Sequence, residues 1–418
     1  MREMKDSGVE WIGCLPKDWV LNKGKYIFVQ RNDRGNDICL QLLSPTQKYG
    51  VIPQDKYEEL SGMKAVKLNE KVNLAELKTV HAGAYCISLR SFQGGFEYSN
   101  YEGVVSPAYQ IFYPKGKIND DYYKYLFKTE GFIQEMNSFT MSLRDGKNIA
   151  FEDFGNSLLP VPPLSEQNII ASFLDAKCAE IDALSADIQK EIETLKEYRK
   201  SVITEAVTKG LDPNVEMKDS GIEWIGEIPV SWLIKRLKYT CDILDDCRSP
   251  IEASKRNQDA EVLYDYYGAS GAIDKIDGYT IDDHVMLIGE DGANLRMRNL
   301  PLMYEVNGKA WINNHAHILK PKAENDFYFI FYALESTDIN NYITGSAQPK
   351  LNQEKLKQIP IPICEGEIQR IISVFMKTKC SEIDSIIADK QKQIETLAEY
   401  RKSLIYEYVT GKKEVPTA

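Results

Sequence analysis

The feature that most limits what this chain can fold into is a long segment that occurs twice. Residues 177–209 read KCAEIDALSADIQKEIETLKEYRKSVITEAVTK, and residues 379–411 read KCSEIDSIIADKQKQIETLAEYRKSLIYEYVTG. At a constant offset of 202, 22 of 33 positions are identical, and the identities fall on apolar and charged positions alike. Shared helical composition is a poor explanation for such a match, so we interpret the two segments as copies of one structural unit.

Each copy is predicted to be a long helix, because its apolar residues recur at the three-to-four spacing of one helical face. No Pro or Gly interrupts the periodic part of either run, which allows roughly thirty helical residues and a length of about 45 Å. The stripe packs either on the helix's own domain or on the other copy, and two matched stripes favour mutual pairing as a short coiled coil. The predicted interface residues are Ile181, Leu184, Ile188, Leu195, Tyr198 and Val202, with Ile383, Ile386, Leu397, Tyr400 and Leu404 in the second copy.

A second repeat precedes each variable region. Residues 4–26 recur at an offset of 213 as residues 217–239, and we call them the first and second cap. Their paired tryptophans are expected to fill packing positions rather than to bind a ligand. Between cap and helix, residues 27–159 and 240–359 show no comparable match, so a repeated frame carries two different surfaces. If the helices run antiparallel, the halves acquire a pseudo-two-fold axis that offers similar docking sites to two copies of a partner.

Size and composition indicate two or three folded domains, since the 418 residues are 43% hydrophobic and 10% aromatic. The N-terminus has no apolar run after its charges, and no stretch of about eighteen apolar residues occurs, so we expect neither secretion nor a membrane span. Eight cysteines occur without a C-x-x-C pair. This pattern argues against disulfides and a zinc site and fits a cytoplasmic location.

The net charge of −11 argues against a simple electrostatic DNA binder, whose domain is usually basic. The negative charge is unevenly spread, however. Residues 20–160 carry 17 Lys and Arg against 16 Asp and Glu, so this region is close to neutral. A near-neutral domain can still present one basic face to a nucleic acid.

The first variable region alternates apolar and polar residues around 83–88 and 109–113, which predicts strands, and then carries a probable helix over 120–132. Its polar inserts contain residue types that hydrogen-bond base edges or phosphates. Taken singly, each is an ordinary loop residue. As a group they are the DNA-contact candidates of this region: Arg90, Gln93, Arg144, Lys147 and Asn148.

The second variable region has polar inserts at 285–299, 311–321 and 345–362. A strand through 311–321 would place Asn313, His315 and His317 on one face. Without a neighbouring Cys or a third His, we interpret the histidines as hydrogen-bonding or packing groups and expect no metal. The DNA-contact candidates of this region are Asn294, Arg296, Asn313, His315, His317, Gln348 and Lys350.

No motif in the chain supplies catalytic chemistry. The sequence lacks a phosphate-binding P-loop, a dinucleotide-binding glycine motif after a strand and a nucleophile elbow. It also lacks the Asn/Asp-Pro-Pro-Tyr tetrapeptide of adenine methyltransferases. The chain is therefore predicted to be a recognition protein and not an enzyme.

Taken together, these segments resemble the specificity subunit of a type I restriction-modification system. The resemblance covers essentially the whole chain. One departure is residues 363–370 (ICEGEIQR), where PLSEQ is expected, so the geometry of that junction stays open. The segments that carry the resemblance are the caps, PVPPLSEQ at 160–167, the paired helices, and LRSFQGG, LRDGKNI, GEDGAN, NNHAHILKP and GSAQPKLN in the variable regions.

The resemblance implies an α+β fold in which two α/β target-recognition domains are joined by two long antiparallel coiled-coil helices, with an internal pseudo-two-fold repeat. The expected segments are 1–160 (first cap and domain), 161–212 (first helix), 213–362 (second cap and domain) and 363–418 (second helix).

The resemblance also implies partners. Each domain is expected to read one half of a bipartite site in double-stranded DNA, while two methyltransferase subunits and two restriction subunits dock on the scaffold. This subunit is expected to bind no cofactor, because S-adenosylmethionine, ATP and Mg²⁺ belong to the partners. The alternative from another class is a protein-binding adaptor with two divergent modules.

Overall fold

The computed structural model describes residues 2–34, 41–65, 76–88, 95–139, 149–256 and 259–416. They form two compact units. Unit 1 contains residues 1–188 and 392–418, and unit 2 contains residues 189–391. Each unit therefore combines one cap, one variable region and parts of two long helices. No helix in the described ranges is long and apolar enough to span a bilayer.

Unit 1 is built on a mixed sheet of six described strands in the order β4-β11-β8-β9-β6-β5. Only the β6–β9 pair is parallel among these strands. The strands of this unit are β1 (Met4–Asp6), β2 (Cys14–Pro16), β3 (Val20–Lys23), β4 (Phe28–Arg31), β5 (Leu43–Thr46), β6 (Gly50–Pro53), β7 (Lys78–Val80), β8 (Ala84–Ile87), β9 (Phe96–Ser99), β10 (Gly103–Val105), β11 (Gln110–Pro114) and β12 (Leu158–Val161). Its short helices are α1 (Gly24–Ile27), α2 (Gln54–Ser61), α3 (Asp120–Leu126), α4 (Glu130–Ser138) and α5 (Phe151–Asn156).

Unit 2 repeats this plan although its sequence differs. Its sheet has six described strands in the order β16-β21-β19-β20-β17-β18, with the β17–β20 pair parallel. The strands are β13 (Met217–Asp219), β14 (Glu227–Pro229), β15 (Leu233–Arg236), β16 (Cys241–Ile243), β17 (Tyr264–Gly268), β18 (Gly271–Ile276), β19 (Ile281–Gly289), β20 (Met303–Ile312), β21 (Ala316–Pro321) and β22 (Pro360–Ile363). Its short helices are α7 (Asn294–Met297), α8 (Phe327–Ser336) and α9 (Gln353–Leu356).

Both sheets bury two faces, and the alternation of side chains explains how. In β19, Met286 and Ile288 join the larger core beside the helices, whereas Val285 and Leu287 join a smaller cluster on the opposite face. Strand β8 divides its residues between two clusters in the same way. Strands buried on both faces read as apolar runs and not as an alternation of apolar and polar residues.

The two long helices are α6 (Leu164–Lys209) and α10 (Gly366–Val409), longer than the repeat alone predicts. In unit 1, Arg401 lies 3.6 Å from Asp182, and the rings of Phe173 and Tyr408 are 4.6 Å apart. In unit 2, Arg199 lies 3.0 Å from Asp384. From the Phe173–Tyr408 contact to the Asp182–Arg401 contact, the residue numbers rise on α6 and fall on α10. The helices therefore run antiparallel. The offset of 202 converts one ion pair into the other, which is the predicted pseudo-two-fold repeat.

The predicted coiled-coil stripe is wider than the stripe of residues that the structure buries. Ile181, Ile188, Ile383 and Leu404 are buried, and Leu195, Val202 and Leu397 are half-buried. The prediction is wrong for Leu184, Tyr198, Ile386 and Tyr400, which are exposed. At about 100° per residue, Leu184 lies about 60° and Tyr198 about 100° around the helix from Ile181, at the flank of the buried stripe.

The caps pack on the helix ends as the paired tryptophans predict. Trp19 is fully buried and Trp232 nearly so. Gly411 and Gly210 both have a positive φ, and a Cβ there would come within 3.0 Å of the Trp19 ring and 3.3 Å of the Trp232 ring. Each helix thus ends in a glycine that allows both the left-handed turn and the close approach of an indole.

One glutamine holds each helix start in the same way. Gln167 accepts from the Asn119 amide at 2.9 Å and donates to the Pro162 carbonyl at 2.9 Å. Gln369 accepts from the Asp326 amide at 2.8 Å and donates to the Cys364 carbonyl at 2.8 Å. The junction at 363–370 therefore keeps the hydrogen bonds that PLSEQ makes at 163–167, although most of its residues differ.

Replacing either glutamine by leucine should lower the free energy of unfolding by about 1–3 kcal/mol, because two buried backbone groups lose their partners. Gln167→Leu and Gln369→Leu are expected to have similar effects, one in each unit. Urea unfolding followed by circular dichroism measures the change, with the exposed Gln189→Leu as the control. Equal stability of all three variants would show that the repeated hydrogen bonds contribute nothing.

Two local predictions are wrong. The helix expected over 120–132 is broken into α3 and α4 near Thr129, whose hydroxyl donates back to the Leu126 carbonyl at 2.7 Å. The strand expected through 311–321 is interrupted by a turn at 313–315, between the end of β20 at Ile312 and the start of β21 at Ala316. Asn313 Oδ1 accepts from the His315 amide at 2.7 Å, an Asx turn that reverses the chain.

Candidate nucleic-acid interface

Three polar segments of unit 2 meet beyond the end of β19. The amide of Glu290 donates to the His315 carbonyl at 2.8 Å, and that of Gly292 donates to the Pro349 carbonyl at 3.1 Å. Asp291 and Lys350 form an isolated bridge. We call this surface, formed by residues 290–298, 313–315 and 344–350, the polar edge. The sequence predicted these segments as DNA contacts, and the fold brings them together.

The exposed candidates of the polar edge carry hydrogen-bond donors that can reach a ligand. The side chains of Lys350 and His315 are 53% and 51% exposed. Gln348 and Arg296 are exposed as well. Arg296 makes one contact, a long hydrogen bond of 3.4 Å from Nη2 to the Gly345 carbonyl. Arginine and lysine pair with phosphates or guanine, and glutamine pairs with adenine, so the set suits a duplex groove.

Three other candidates of this region have structural roles. Asn294 uses its side chain within the edge, accepting from the Leu300 amide at 2.8 Å and donating to the Pro301 carbonyl at 3.0 Å. Asn313 and His317 are buried, with 5% and 1% of each residue exposed. The prediction that these two side chains contact DNA is wrong, because the Asx turn directs one inward and the sheet directs the other into the interior.

Beneath the edge lies a buried ion network that the sequence did not reveal. Arg248 Nη1 donates to Glu290 at 2.6 Å, and Lys350 Nζ lies 3.1 Å from the other oxygen of the same carboxylate. Burial alone would raise the pKa of Glu290, but hydrogen bonds from Arg248 and Lys350 hold it below its usual range. Arg248 follows a short strand in an otherwise ordinary turn. No spacing or motif in the sequence therefore identifies it as part of the ion network.

The candidates of the first variable region cannot be placed in the same way. Arg90, Gln93, Arg144, Lys147 and Asn148 lie outside the described residues. They remain a prediction. The described sheet of unit 1 shows only that the chain leaves β8 at Ile87 and returns at β9, the connection that contains Arg90 and Gln93.

A second surface repeats across the two halves. Several exposed apolar residues have an exposed apolar counterpart at the same repeat position. Val20 and Leu233 of the caps are 58% and 57% exposed, and Tyr198 and Tyr400 of the helices are 55% and 52% exposed. The remaining pairs are Tyr26 with Tyr239, Ile169 with Ile371, and Leu184 with Ile386. Scattered exposed apolar residues are common, but here the same set is exposed at equivalent repeat positions in both halves.

Comparison with known proteins agrees with a duplicated recognition protein. The family model described as the type I restriction modification DNA specificity domain matches residues 13–194 and 229–396. The chain therefore belongs to this family. The two matched stretches coincide with the two halves of the repeat.

Among curated relatives, the MjaVIII specificity subunit of a type I restriction enzyme from Methanocaldococcus jannaschii is 27% identical over 338 residues, 75% of each chain. A putative type I restriction enzyme specificity subunit of Haemophilus influenzae is 33% identical over 140 residues, and that match spans about a third of either chain (34%).

Two solved structures share the fold. One, from work on complex assembly and conformational transition of the type I R-M system, has a TM-score of 0.71 at 13% identity and covers 96% of this chain and 99% of its own. The HsdS subunit from Thermoanaerobacter tengcongensis has a TM-score of 0.53 at 15% identity, with 96% and 98% covered. At such low identity the likeness concerns the fold.

Proposed function

We propose that this chain is the DNA sequence-recognition subunit of a type I restriction-modification complex, in which each variable domain reads one half of a bipartite site. One observation carries the proposal: similar six-stranded sheets occur twice on a repeated frame, while the sequences of the two variable regions differ. The frame is the same in both halves and the loops are not. This combination fits a protein that reads two different sequences in one geometry.

Contacts at the polar edge divide by chemistry. Lys350 and Arg296 are suited to phosphates or to guanine, whereas His315 and Gln348 are suited to hydrogen bonds with base edges. Phosphate contacts set position and affinity, and base contacts set sequence. The chain itself supplies no transferred group. In this proposal S-adenosylmethionine, ATP and Mg²⁺ belong to the partner subunits.

The test is the salt dependence of DNA binding by the chain together with its methyltransferase. Lys350→Ala and Arg296→Ala should each weaken binding, and each lost phosphate contact should reduce the salt slope by about 1. A base-reading arginine would instead relax one position of the site at a cost of about 1–3 kcal/mol. Fluorescence anisotropy on duplex DNA across a salt series distinguishes the two results.

Lys275→Ala is the matched control, since Lys275 is an exposed lysine of the same unit that pairs with Asp265 on strand β17, outside the polar edge. Its salt slope should equal that of the wild type. If the wild type shows no salt-dependent binding, the proposal fails and the protein-binding adaptor remains.

The repeated apolar surface supports docking of two methyltransferase copies. Leu184 and Ile386 occupy the same helical position in the two halves, and both are exposed. A buried aspartate at a hydrophobic interface loses its hydration without gaining a partner, so one substitution should prevent one docking event. The proposal therefore assigns one copy of the partner to each half of the chain.

Leu184→Asp and Ile386→Asp should each yield a complex with one methyltransferase copy, and the double variant should yield the chain alone. Mass photometry of purified complexes counts the copies. Val262→Asp is the control, because Val262 is equally exposed but lies in the second variable region, outside the repeat. A double variant that still assembles with two copies would place docking on another surface.

A further inference from the structure

His317 occupies an unusual position beneath the polar edge. With 1% of its side chain exposed, it makes a hydrogen bond at each ring nitrogen. Nδ1 lies 2.7 Å from Asp245 Oδ2, and Nε2 lies 2.8 Å from the carbonyl oxygen of Leu351. A carbonyl oxygen can only accept, so Nε2 must carry a proton.

The second nitrogen faces a carboxylate that other groups also hold in place. Both oxygens of Asp245 already accept hydrogen bonds, one from the Ile318 amide at 3.1 Å and one from Gln353 Nε2 at 3.0 Å. Burial alone would raise the pKa of Asp245, but the hydrogen bonds from His317 and Ile318 and the charge of Arg248 hold it below its usual range. The ring of His317 thus bridges Asp245 and the Leu351 carbonyl, and its Nε2 also lies 3.9 Å from Glu290.

This ring holds the segment that carries Lys350. The Leu351 carbonyl accepts a hydrogen bond from His317 Nε2, and the Leu351 amide donates to the Glu290 carbonyl at 2.7 Å. Thr344 and Lys350 close the segment with two mutual backbone hydrogen bonds of 2.8 Å. Lys350 Nζ then meets Glu290 at the surface. Nothing else among the described side chains anchors the Leu351 carbonyl.

We propose that His317 is a positioning residue for DNA recognition: its ring fixes residues 344–351 between Asp245 and the polar edge, and so sets where Lys350 meets the DNA. His317 itself stays buried and touches no base or phosphate. The inference rests on the proposed function, because it assigns the second half-site to this edge. It differs from a plain core histidine, which would stabilise the domain without selecting a DNA half-site.

The experiment begins with the methylated motif of cells that carry the chain and its partners, which supplies a duplex with both half-sites. The complex with His317→Gln should bind this duplex about tenfold more weakly, the loss of roughly one well-placed charged contact. Discrimination should relax in the half-site read by unit 2 and stay unchanged in the other. The control is His284→Gln, a surface histidine of the same sheet.

The double variant separates positioning from simple stability. If His317 acts through the segment that carries Lys350, adding His317→Gln to Lys350→Ala should weaken binding only slightly further. Full additivity, or equal losses at both half-sites, would overturn the proposal. A wild-type complex that binds no DNA would contradict the proposed function itself. That result is distinguishable from a failure of the His317 proposal alone.

A spectroscopic readout completes the test and does not depend on the variant folding. Nitrogen-15 labelling of the four histidines should show one ring whose Nε2 proton exchanges slowly with solvent, because it is buried and donates to the Leu351 carbonyl. Its signals should change in Gln353→Ala, which removes one donor to Asp245, and that variant should weaken binding in the same half-site. An Nε2 proton that exchanges as fast as those of the exposed histidines would overturn the inference.

Discussion

Exchanging residues 27–159 for the same region of another member of this family should replace one half of the methylated sequence and leave the other half unchanged. The reason is that this region joins the repeated frame through a backbone strand pairing and a shared apolar core, neither of which contacts DNA in the proposed function. Strand β12 pairs with β3 through Leu158–Val161 and Val20–Lys23, and the register depends on no particular side chain. Sequencing of methylated adenines in cells carrying the exchanged chain measures both halves at once.

Two hydrogen bonds to the frame must survive the exchange for it to be a fair test. The Asn119 amide donates to Gln167, and the hydroxyl of Tyr122 donates to the Val409 carbonyl at 2.7 Å in the core of unit 1. Asn119 also caps α3 through the Tyr122 amide at 2.8 Å. The incoming region should supply equivalent groups. The reciprocal exchange of residues 240–359 is the matched control and should alter only the other half. A change in both halves in either experiment would refute independent reading.

The repeated frame was predictable because its signals are local and occur twice. The helical stripe, the absence of Pro and Gly, and the paired tryptophans all appear in the letters of the chain, and the structure confirms two long antiparallel helices with a cap packed at the end of each. The width of the interface was not predictable. A stripe of apolar residues does not say where its buried part ends, and Leu184 and Tyr198 are exposed at the flank of that part.

The polar edge was predicted in part. Arg296, His315, Gln348 and Lys350 are exposed on it, and their residue types were the signal. Asn313 and His317 have the same types but buried positions, because a two-residue alternation cannot detect that an asparagine turn separates the strands. Arg248 and Asp245 were missed. Their roles depend on contacts with residues far along the chain, such as Glu290 and His317, which only the sheet brings together.

The antiparallel pairing gives the helices a second expected property, that of a ruler. Half-sites read from one side of a duplex lie about one helical turn apart, roughly 34–36 Å centre to centre, which leaves an unread gap of roughly five to eight base pairs. The ion pairs Asp182–Arg401 and Arg199–Asp384 fix the register of the two helices. Lys190 on α6 and Lys392 on α10 occupy the same repeat position, since the offset of 202 joins them.

Inserting four residues after Lys190 and four after Lys392 should therefore lengthen the gap by one or two base pairs while both half-sites keep their sequence. Four helical residues add about 6 Å, nearly two base pairs at roughly 3.4 Å each. An insertion in α6 alone shifts its register against α10 and breaks the ion pairs, so activity should fall until the matched insertion restores them. Methylation motifs of the wild type, the single and the double insertion supply the measurement. If an active insertion variant keeps the original gap, the distance between half-sites is not set by these helices, and their duplication serves the docking of partners alone.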